Sequence, residues 1–248
     1  MITKNIIKLV QSLKQQKFRK EHGLFVVEGR KMIEELRSSS FDIVHLFATE
    51  RYLEEHPLTD DRLEAVTEVQ MSQMSGQDTP PGILAVVKTP KLEVPSSFDG
   101  IVLALDGIAN PGNMGTIIRT AEWFGIKQII CSEDCVELWN PKVIQATMGS
   151  VFRMPIAYTD LSVFLEGSKR TGKAIYGALL EGENLFKKEG KWADGVIVIG
   201  SESHGIRDNI TPLITHPITI PRASGSLTES LNASMAAGII LAVFAMKK

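Results

Sequence analysis

Residues 101–123 read Ile-Val-Leu-Ala-Leu-Asp-Gly-Ile-Ala-Asn-Pro-Gly-Asn-Met-Gly-Thr-Ile-Ile-Arg-Thr-Ala-Glu-Trp. The first five are apolar without interruption, the pattern of a strand buried on both faces. The turn Asn110-Pro-Gly-Asn-Met-Gly115 breaks that run, and from Met114 onward the apolar residues recur at helical spacing. Strand, turn and helix are therefore predicted in succession. A turn that opens a helix leaves free N–H groups and the positive end of the helix facing whatever crevice lies there. A dinucleotide-binding loop is a poor reading, because the G-x-G-x-x-G spacing is absent and no acidic residue follows about 20 positions later in the right context. One reading of the turn is purely structural, with Asn113 capping the helix while Asn110 and Gly112 shape the bend. Arg119 sits among Ile117, Ile118 and Ala121, which should be buried, so it is expected to emerge where the helix meets a pocket.

The same unit repeats downstream. Strand-like runs occur at 128–131, 154–157, 174–178, 196–199 and 218–220, with helical stretches at 114–124, 141–148, 161–170 and 229–246. Such alternation predicts a parallel sheet covered on both faces. Two further turns follow strands of this series. Gly200-Ser-Glu-Ser-His-Gly205 comes after the run 196–199, which puts Glu202 at the carboxyl edge of the sheet, where open α/β sheets bind ligands. The structural alternative for Glu202 is a cap on the next helix. Ile220-Pro221 ends another strand, and Ser230-Leu231-Asn232 opens the last helix.

Upstream the elements are shorter. A basic amphipathic helix is predicted to about Lys17, then strands at 24–28, 43–47, 65–69 and 83–87 with helical stretches at 30–36 and 50–56, a small α/β domain. The segment Thr89-Pro-Lys-Leu-Glu-Val-Pro-Ser-Ser-Phe-Asp-Gly100 has no periodicity and is rich in Pro, Ser and Gly. It divides the chain into a domain at 1–90, a linker at 91–100 and a second domain at 101–248.

Composition narrows the class. With 248 residues, 44% hydrophobic and 23% charged, the chain can bury an ordinary core and is not disordered in character. Net charge is only −2, but residues 1–20 hold Lys4, Lys8, Lys14, Lys17, Arg19 and Lys20 and no acid. Residues 1–37 carry +5 and the remainder −7. A basic stripe of this kind suits a phosphate backbone, and equally suits the solvated face of an amphipathic helix. Cys131 and Cys135 lack the further ligands of a zinc set and are expected to be buried free thiols, with no metal site. The first residues lack the charged-then-apolar pattern of a secretory signal, so the reducing cytoplasm is the expected compartment. Residues 233–246 fall short of the roughly 20 apolar residues of a membrane span, so no membrane partner is expected.

In their order and separations, the three turn segments resemble the three sequence motifs of the SpoU (TrmH) family of RNA 2'-O-ribose methyltransferases, a branch of the knotted SPOUT class that uses S-adenosylmethionine. The first half is similar to the substrate-binding domain that precedes the catalytic domain in many such proteins, on Lys4-Asn5 with Leu13, on Arg19 with the run from Gly23 to Gly29, and on Gln77-Asp-Thr-Pro-Pro-Gly-Ile-Leu-Ala85. Such domains resemble a ribosomal-protein fold that binds kinked or looped RNA. Together the resemblances cover nearly the whole chain.

The resemblance implies an α/β protein with a C-terminal parallel-sheet SPOUT domain, a C-terminal trefoil knot, and a small α/β RNA-binding domain before it. Nothing in the residue pattern itself reveals a knot. It assigns Asn110, Arg119, Glu202, Ser230 and Asn232 to the catalytic centre, with Glu202 placed to orient Arg119, and backbone groups near Gly200, Ile220 and Leu231 to the adenosine of S-adenosylmethionine. The loop 222–229 is slightly longer than the family pattern. Arg119 is described in the family as a base, but a guanidinium with a pKa above about 12 is a poor base near neutrality. A fixed fork of donors is suited instead to hold a phosphate or a developing alkoxide. The resemblance further implies a homodimer joined through the first-motif helix and the closing helix, and RNA as partner, ribosomal favoured over transfer RNA. Two other readings stay open: a non-catalytic RNA-binding or ribosome-assembly protein of the same fold, and an unrelated α/β enzyme binding a nucleotide by its Gly-rich turns.

Overall fold

The computed structural model describes residues 2–187 and 189–246. In chain order the first part holds α1 (Lys4–Ser12), α2 (Gln16–His22), β1 (Leu24–Glu28), α3 (Arg30–Arg37), β2 (Ile43–Thr49), α4 (Glu50–Glu55), β3 (Leu63–Val66), α5 (Glu68–Met74) and β4 (Ile83–Lys88). The second part holds β5 (Ile101–Asp106), α6 (Pro111–Trp123), β6 (Ile129–Cys131), α7 (Pro141–Thr147), β7 (Ile156–Tyr158), α8 (Leu161–Arg170), β8 (Ala174–Asn184), β9 (Gly195–Gly200), β10 (His216–Thr219) and α9 (Ala233–Met246). These elements fall into two compact units. The first takes the chain up to Lys91 together with Glu137–Arg153, and the second takes Leu92–Val136 and the chain from Met154 onward.

The first unit is built on a mixed sheet in the order β1-β4-β2-β3, with β1–β4 and β4–β2 antiparallel and β2–β3 parallel. Its core joins Val10 and Leu13 to Phe47, Leu84, Val86, Met71 and Met74. The single N-terminal helix expected to about Lys17 is two helices. Arg19 turns inward, and its Nη1 donates to the carbonyls of Leu13 (2.8 Å) and Lys14 (2.9 Å), occupying acceptors near the break. Its charge is met by Glu137 through Nε and Nη2. Arg19 thus leaves the basic stripe, being 3% exposed, while Lys4, Lys8, Lys14, Lys17 and Lys20 remain on the surface. The expected strand at 65–69 ends at Val66 because Thr67 and Gln70 form a reciprocal capping box that starts α5, which leaves Val69 on an exposed helical face. The segment 137–153 packs into this unit through Trp139, stacked on Phe25 at 4.4 Å, and through Gln145 Nε2, which donates to the Glu28 carbonyl at 2.8 Å.

The second unit is a six-stranded parallel sheet in the order β10-β8-β9-β5-β6-β7. β5 and β9 lie side by side with Asp106 opposite Gly200, so the turns after both strands leave from adjacent positions at the carboxyl edge. From β5 the chain runs outward to β6 and β7, and then returns on the other side, where β9 and β8 lie. Such a switch point is where open parallel sheets form their binding crevice. β8 departs from the expected short strand. It pairs β10 at Tyr176 and Gly177 and again at Glu183 and Asn184, and residues 178–182 bulge between. A Cβ on Gly182 would stand 2.7 Å from the Pro217 carbonyl, so that close crossing needs glycine. The closing helix begins at Ala233 instead of residue 229, because Asn232 Oδ1 accepts the free N–H groups of Ser234 (3.0 Å) and Met235 (3.3 Å). Among the described residues no helix is long and apolar enough to cross a membrane.

Candidate active site

The first-motif turn is organised by Asn110. Its Oδ1 accepts from the N–H groups of Gly112 (2.8 Å) and Asn113 (3.1 Å), and Pro111 occupies the first helical position, where a missing N–H costs nothing. The cap is therefore Asn110, and not Asn113 as the structural reading of the turn had it. Released from that duty, the Asn113 side chain bridges the other two motifs. Its Nδ2 donates to Glu202 Oε1 in the turn after β9, and its Oδ1 accepts from Asn232 Nδ2 at 3.0 Å. Asn232 in turn opens α9. Three segments far apart in sequence are thereby tied by one line of side-chain hydrogen bonds.

The turn after β9 folds back on itself. Ser201 and Gly205 exchange backbone hydrogen bonds of 3.1 and 2.9 Å, and Gly205 sits at φ +65°. A Cβ on Gly200 would fall inside the Gly205 carbonyl and the Ile206 nitrogen, so this fold-back requires glycine at position 200. Residues 202–205 are exposed, and Ile206 is buried as the anchor that ends the turn.

Beside this turn lies a cavity of about 640 Å³. Its walls are the β8 bulge at 178–181, the turn 199–206, residues 218–220 and 229–231, and the inner face of α9 at Ala233, Ala236 and Ile240. Of the residues expected at the site, Gly200, Glu202, Ile220, Ser230 and Leu231 line it. Asn110, Arg119 and Asn232 do not. Asn232 still reaches the rim through Asn113, whereas Arg119 lies on the exposed face of α6. Its guanidinium makes no hydrogen bond or ion pair with any described residue. Glu202, expected to orient Arg119, instead accepts from Asn113.

Asn113 and the β8 bulge are the features that reading the sequence missed. Asn113 stands three residues beyond the cap, where a helix side chain leans back toward the N-terminal end. That lean, together with a second Asn already available as cap, was the signal that could have separated the two. Behind the site, both cysteines are buried and unpaired. Cys135 Sγ accepts from the Ile108 N–H at 3.2 Å, just under the first-motif turn. Hydrogen bonding from Cys131 lowers the Cys135 thiol to about 7 against the opposing effect of burial, and the same contact, with burial, raises Cys131. Among the described residues no group of three or more His, Cys, Asp or Glu side chains gathers as a metal site would.

Residues 100–242 match the model of the SpoU rRNA Methylase family, and residues 4–85 match the MRM3-like substrate binding domain. A protein of the TrmH family from Porphyromonas gingivalis superposes with a TM-score of 0.89 at 32% identity, over 98% of both chains. An AdoMet-bound rRNA methyltransferase from Sinorhizobium meliloti superposes at 0.85 with 26% identity, over 98% of this chain and 95% of that one. The 23S rRNA guanosine-2'-O-methyltransferase RlmP of Bacillus subtilis is 24% identical over 93% of this chain and 92% of its own length. By its matched catalytic half and this near full-length likeness, the chain belongs to the SpoU rRNA methylase family.

Proposed function

We propose that this chain is an S-adenosylmethionine-dependent RNA 2'-O-ribose methyltransferase acting on large-subunit ribosomal RNA, with an RNA-binding domain at 1–90, a linker at 91–100 and a methyltransferase domain at 101–248. The observation that carries this reading is the cavity at the carboxyl edge of the parallel sheet, lined by the second and third motifs, bounded by the glycine-dependent turn at 200–206 and tied to the first motif through the Asn113 hydrogen bonds to Glu202 and Asn232. Its volume lies within the range of about 300–1,000 Å³ typical of small-molecule sites. Ile199, Ile218, Ile220, Leu231 and Ile240 offer apolar walls for an adenine, and the backbone at Gly200, Ile220 and Leu231 offers hydrogen-bonding groups. Glu181, Glu202 and Glu229 give the rim a negative character that suits a sulfonium and an ammonium group. The residues present therefore fit the cofactor.

Bound there, S-adenosylmethionine would supply an activated methyl group to a ribose 2'-oxygen, with S-adenosylhomocysteine as the leaving group and the 2'-hydroxyl proton released. The protein's part is alignment and electrostatics. Asn110 fixes the turn, and Asn113, Glu202 and Asn232 fix the three motifs against one another, with Ser230 beside them on the cavity wall. Arg119, free of any described partner, is available to hold a backbone phosphate or the developing alkoxide with its fork of donors. The proposed homodimer pairs α6 and α9 with those of a second copy, in line with the exposed Trp123 and Met235 on those helices. The trefoil knot goes with the family fold, and the buried free thiols fit a reducing cytoplasm. Four lysines on α1 and α2, Lys4, Lys8, Lys17 and Lys20, present charge to an RNA backbone.

The test is transfer of labelled methyl from S-adenosylmethionine to unmodified ribosomal and transfer RNA, with nucleoside mass spectrometry to locate the label. Ribose-methylated nucleosides from ribosomal RNA are expected. Label confined to transfer RNA would overturn the substrate assignment, and cofactor binding without turnover on either pool would favour a non-catalytic RNA-binding protein of the same fold.

A further inference from the structure

Asp106, the last residue of β5, is buried, with no exposed side-chain surface, directly opposite Gly200. A carboxylate removed from water in this way needs full compensation. One residue supplies most of it. The backbone N–H of Arg207 donates to Asp106 Oδ2 at 2.9 Å, its Nε donates to Oδ1 at 2.6 Å, and Nη2 completes an ion pair with Oδ1. Nη1 also reaches Asp134 Oδ2 at 3.4 Å, in the loop after β6. Neither Asp106 nor Arg207 lines the cavity.

The place of this contact gives it meaning. The turn that begins at Gly200 closes on the buried Ile206 and on Arg207 next to it, and residues 202–205 are exposed and held by the Ser201–Gly205 exchange, the His204 N–H on Ser201 Oγ and the Glu202–Asn113 bond. A turn with so few buried contacts opens at low cost unless its ends are fixed. Gly200 is fixed by the sheet. Arg207 is fixed by both its main chain and its guanidinium on a carboxylate one strand away. Because these bonds grip backbone and side chain together, they set the distance between the two ends of the turn as well as its orientation.

We propose that Arg207 is a positioning residue for the cofactor site, clamping the 200–206 turn onto Asp106 so that its backbone is already in the cofactor-binding shape before the ligand arrives. The inference rests on the reading of the cavity as the S-adenosylmethionine site. Loss of the clamp lowers the fraction of molecules with a formed turn, and apparent cofactor affinity falls by that fraction while the chemical step in the occupied enzyme is unchanged.

The test compares the full chain with Arg207→Gln, Arg207→Lys and the double variant Asp106→Asn/Arg207→Gln. Melting temperature, calorimetric Kd for S-adenosylhomocysteine, and KM and kcat with S-adenosylmethionine are measured on each. Arg207→Gln leaves a buried carboxylate without its main partner and lowers the melting temperature, and the double variant restores it by removing the charge. In both, Kd and KM for the cofactor are expected to rise about tenfold, with kcat at saturating cofactor within about twofold of the parent. Arg207→Lys, which keeps a charge but loses the fork, is expected to fall between. Unchanged cofactor affinity in the folded variants, or affinity in the double variant that recovers along with its melting temperature, would overturn the clamp and leave the cofactor site standing. Failure of the parent chain to bind S-adenosylhomocysteine would overturn the cofactor site and the clamp with it.

Discussion

Each unit of this molecule has a glutamate at the end of an apolar strand, and the two are used in opposite ways. Glu28 closes β1 and is 6% exposed; its carboxylate accepts from Ser75 Oγ at 2.5 Å and from the Gly76 N–H at 2.9 Å. Its acceptor sites serve the loop that follows α5, and its own carbonyl takes Gln145. Glu202 stands two residues after β9, is exposed, and accepts from Asn113 alone among the described side chains. One carboxylate is consumed by the fold, while the other keeps lone pairs toward a cavity. What marks a candidate working residue is thus the capacity left over after the fold has been satisfied, and not polarity at a strand end.

That contrast can be broken most severely at Arg119, whose donors meet no partner among the described residues. Arg119→Ala is expected to lower methyl transfer by about 10²–10³-fold, the cost of removing one preorganised donor, with cofactor affinity and melting temperature close to the parent. A large loss of cofactor affinity would show that the side chain belongs to the cofactor pocket instead. Gly200→Ala comes next. The added methyl meets the backbone of Gly205 and Ile206, so the turn must open, and calorimetry should show cofactor affinity reduced by about tenfold or more. Retained affinity would mean that the turn is not part of the cofactor wall.

The two glutamates themselves give the paired test. Glu28→Ala strands the buried Ser75 hydroxyl and removes the acceptor of the exposed Gly76 N–H, and denaturant melts should report a loss of about 1–3 kcal/mol. Glu202→Gln should lower transfer while shifting stability by less than about 0.5 kcal/mol, as is usual for an exposed position. Equal stability losses in the two variants would erase the distinction. Asn110→Ala removes the cap of α6 and is expected to cost about 1 kcal/mol, less than the upper range for Glu28→Ala. Asn110→Ser keeps a capping oxygen and should restore both melting temperature and transfer; stability restored without transfer would mean that Asn110 touches substrate.

Much of the architecture was legible in the sequence because it is written locally. The uninterrupted apolar run at 101–105 and the helical period at 161–170 produced β5 and α8 with little error. What escaped depends on partners far along the chain. The break between α1 and α2 is stabilised by Arg19, whose charge is met by Glu137, 118 positions away. The membership of 137–153 in the first unit follows from contacts such as Trp139 on Phe25, which no local pattern announces. The bulge in β8 arises because β10 pairs both halves of that strand, so the cavity wall at 178–181 is set by a crossing and not by turn residues. The candidate site was legible as three turn segments, since each follows a strand. How the polar side chains divide the work within it was not, because Asn110 and Asn113 differ only in which hydrogen bonds the assembled sheet leaves for them.

The central claim is that these three segments form one cofactor site, and a crystal structure of the full chain with S-adenosylhomocysteine tests it most directly. The ligand is expected in the cavity between the β8 bulge and α9, with its adenosine against the backbone of Gly200, Ile220 and Leu231. Ligand bound elsewhere, for example in the crevice lined by Phe98, Phe164 and Lys173 at the other end of the sheet, would contradict it.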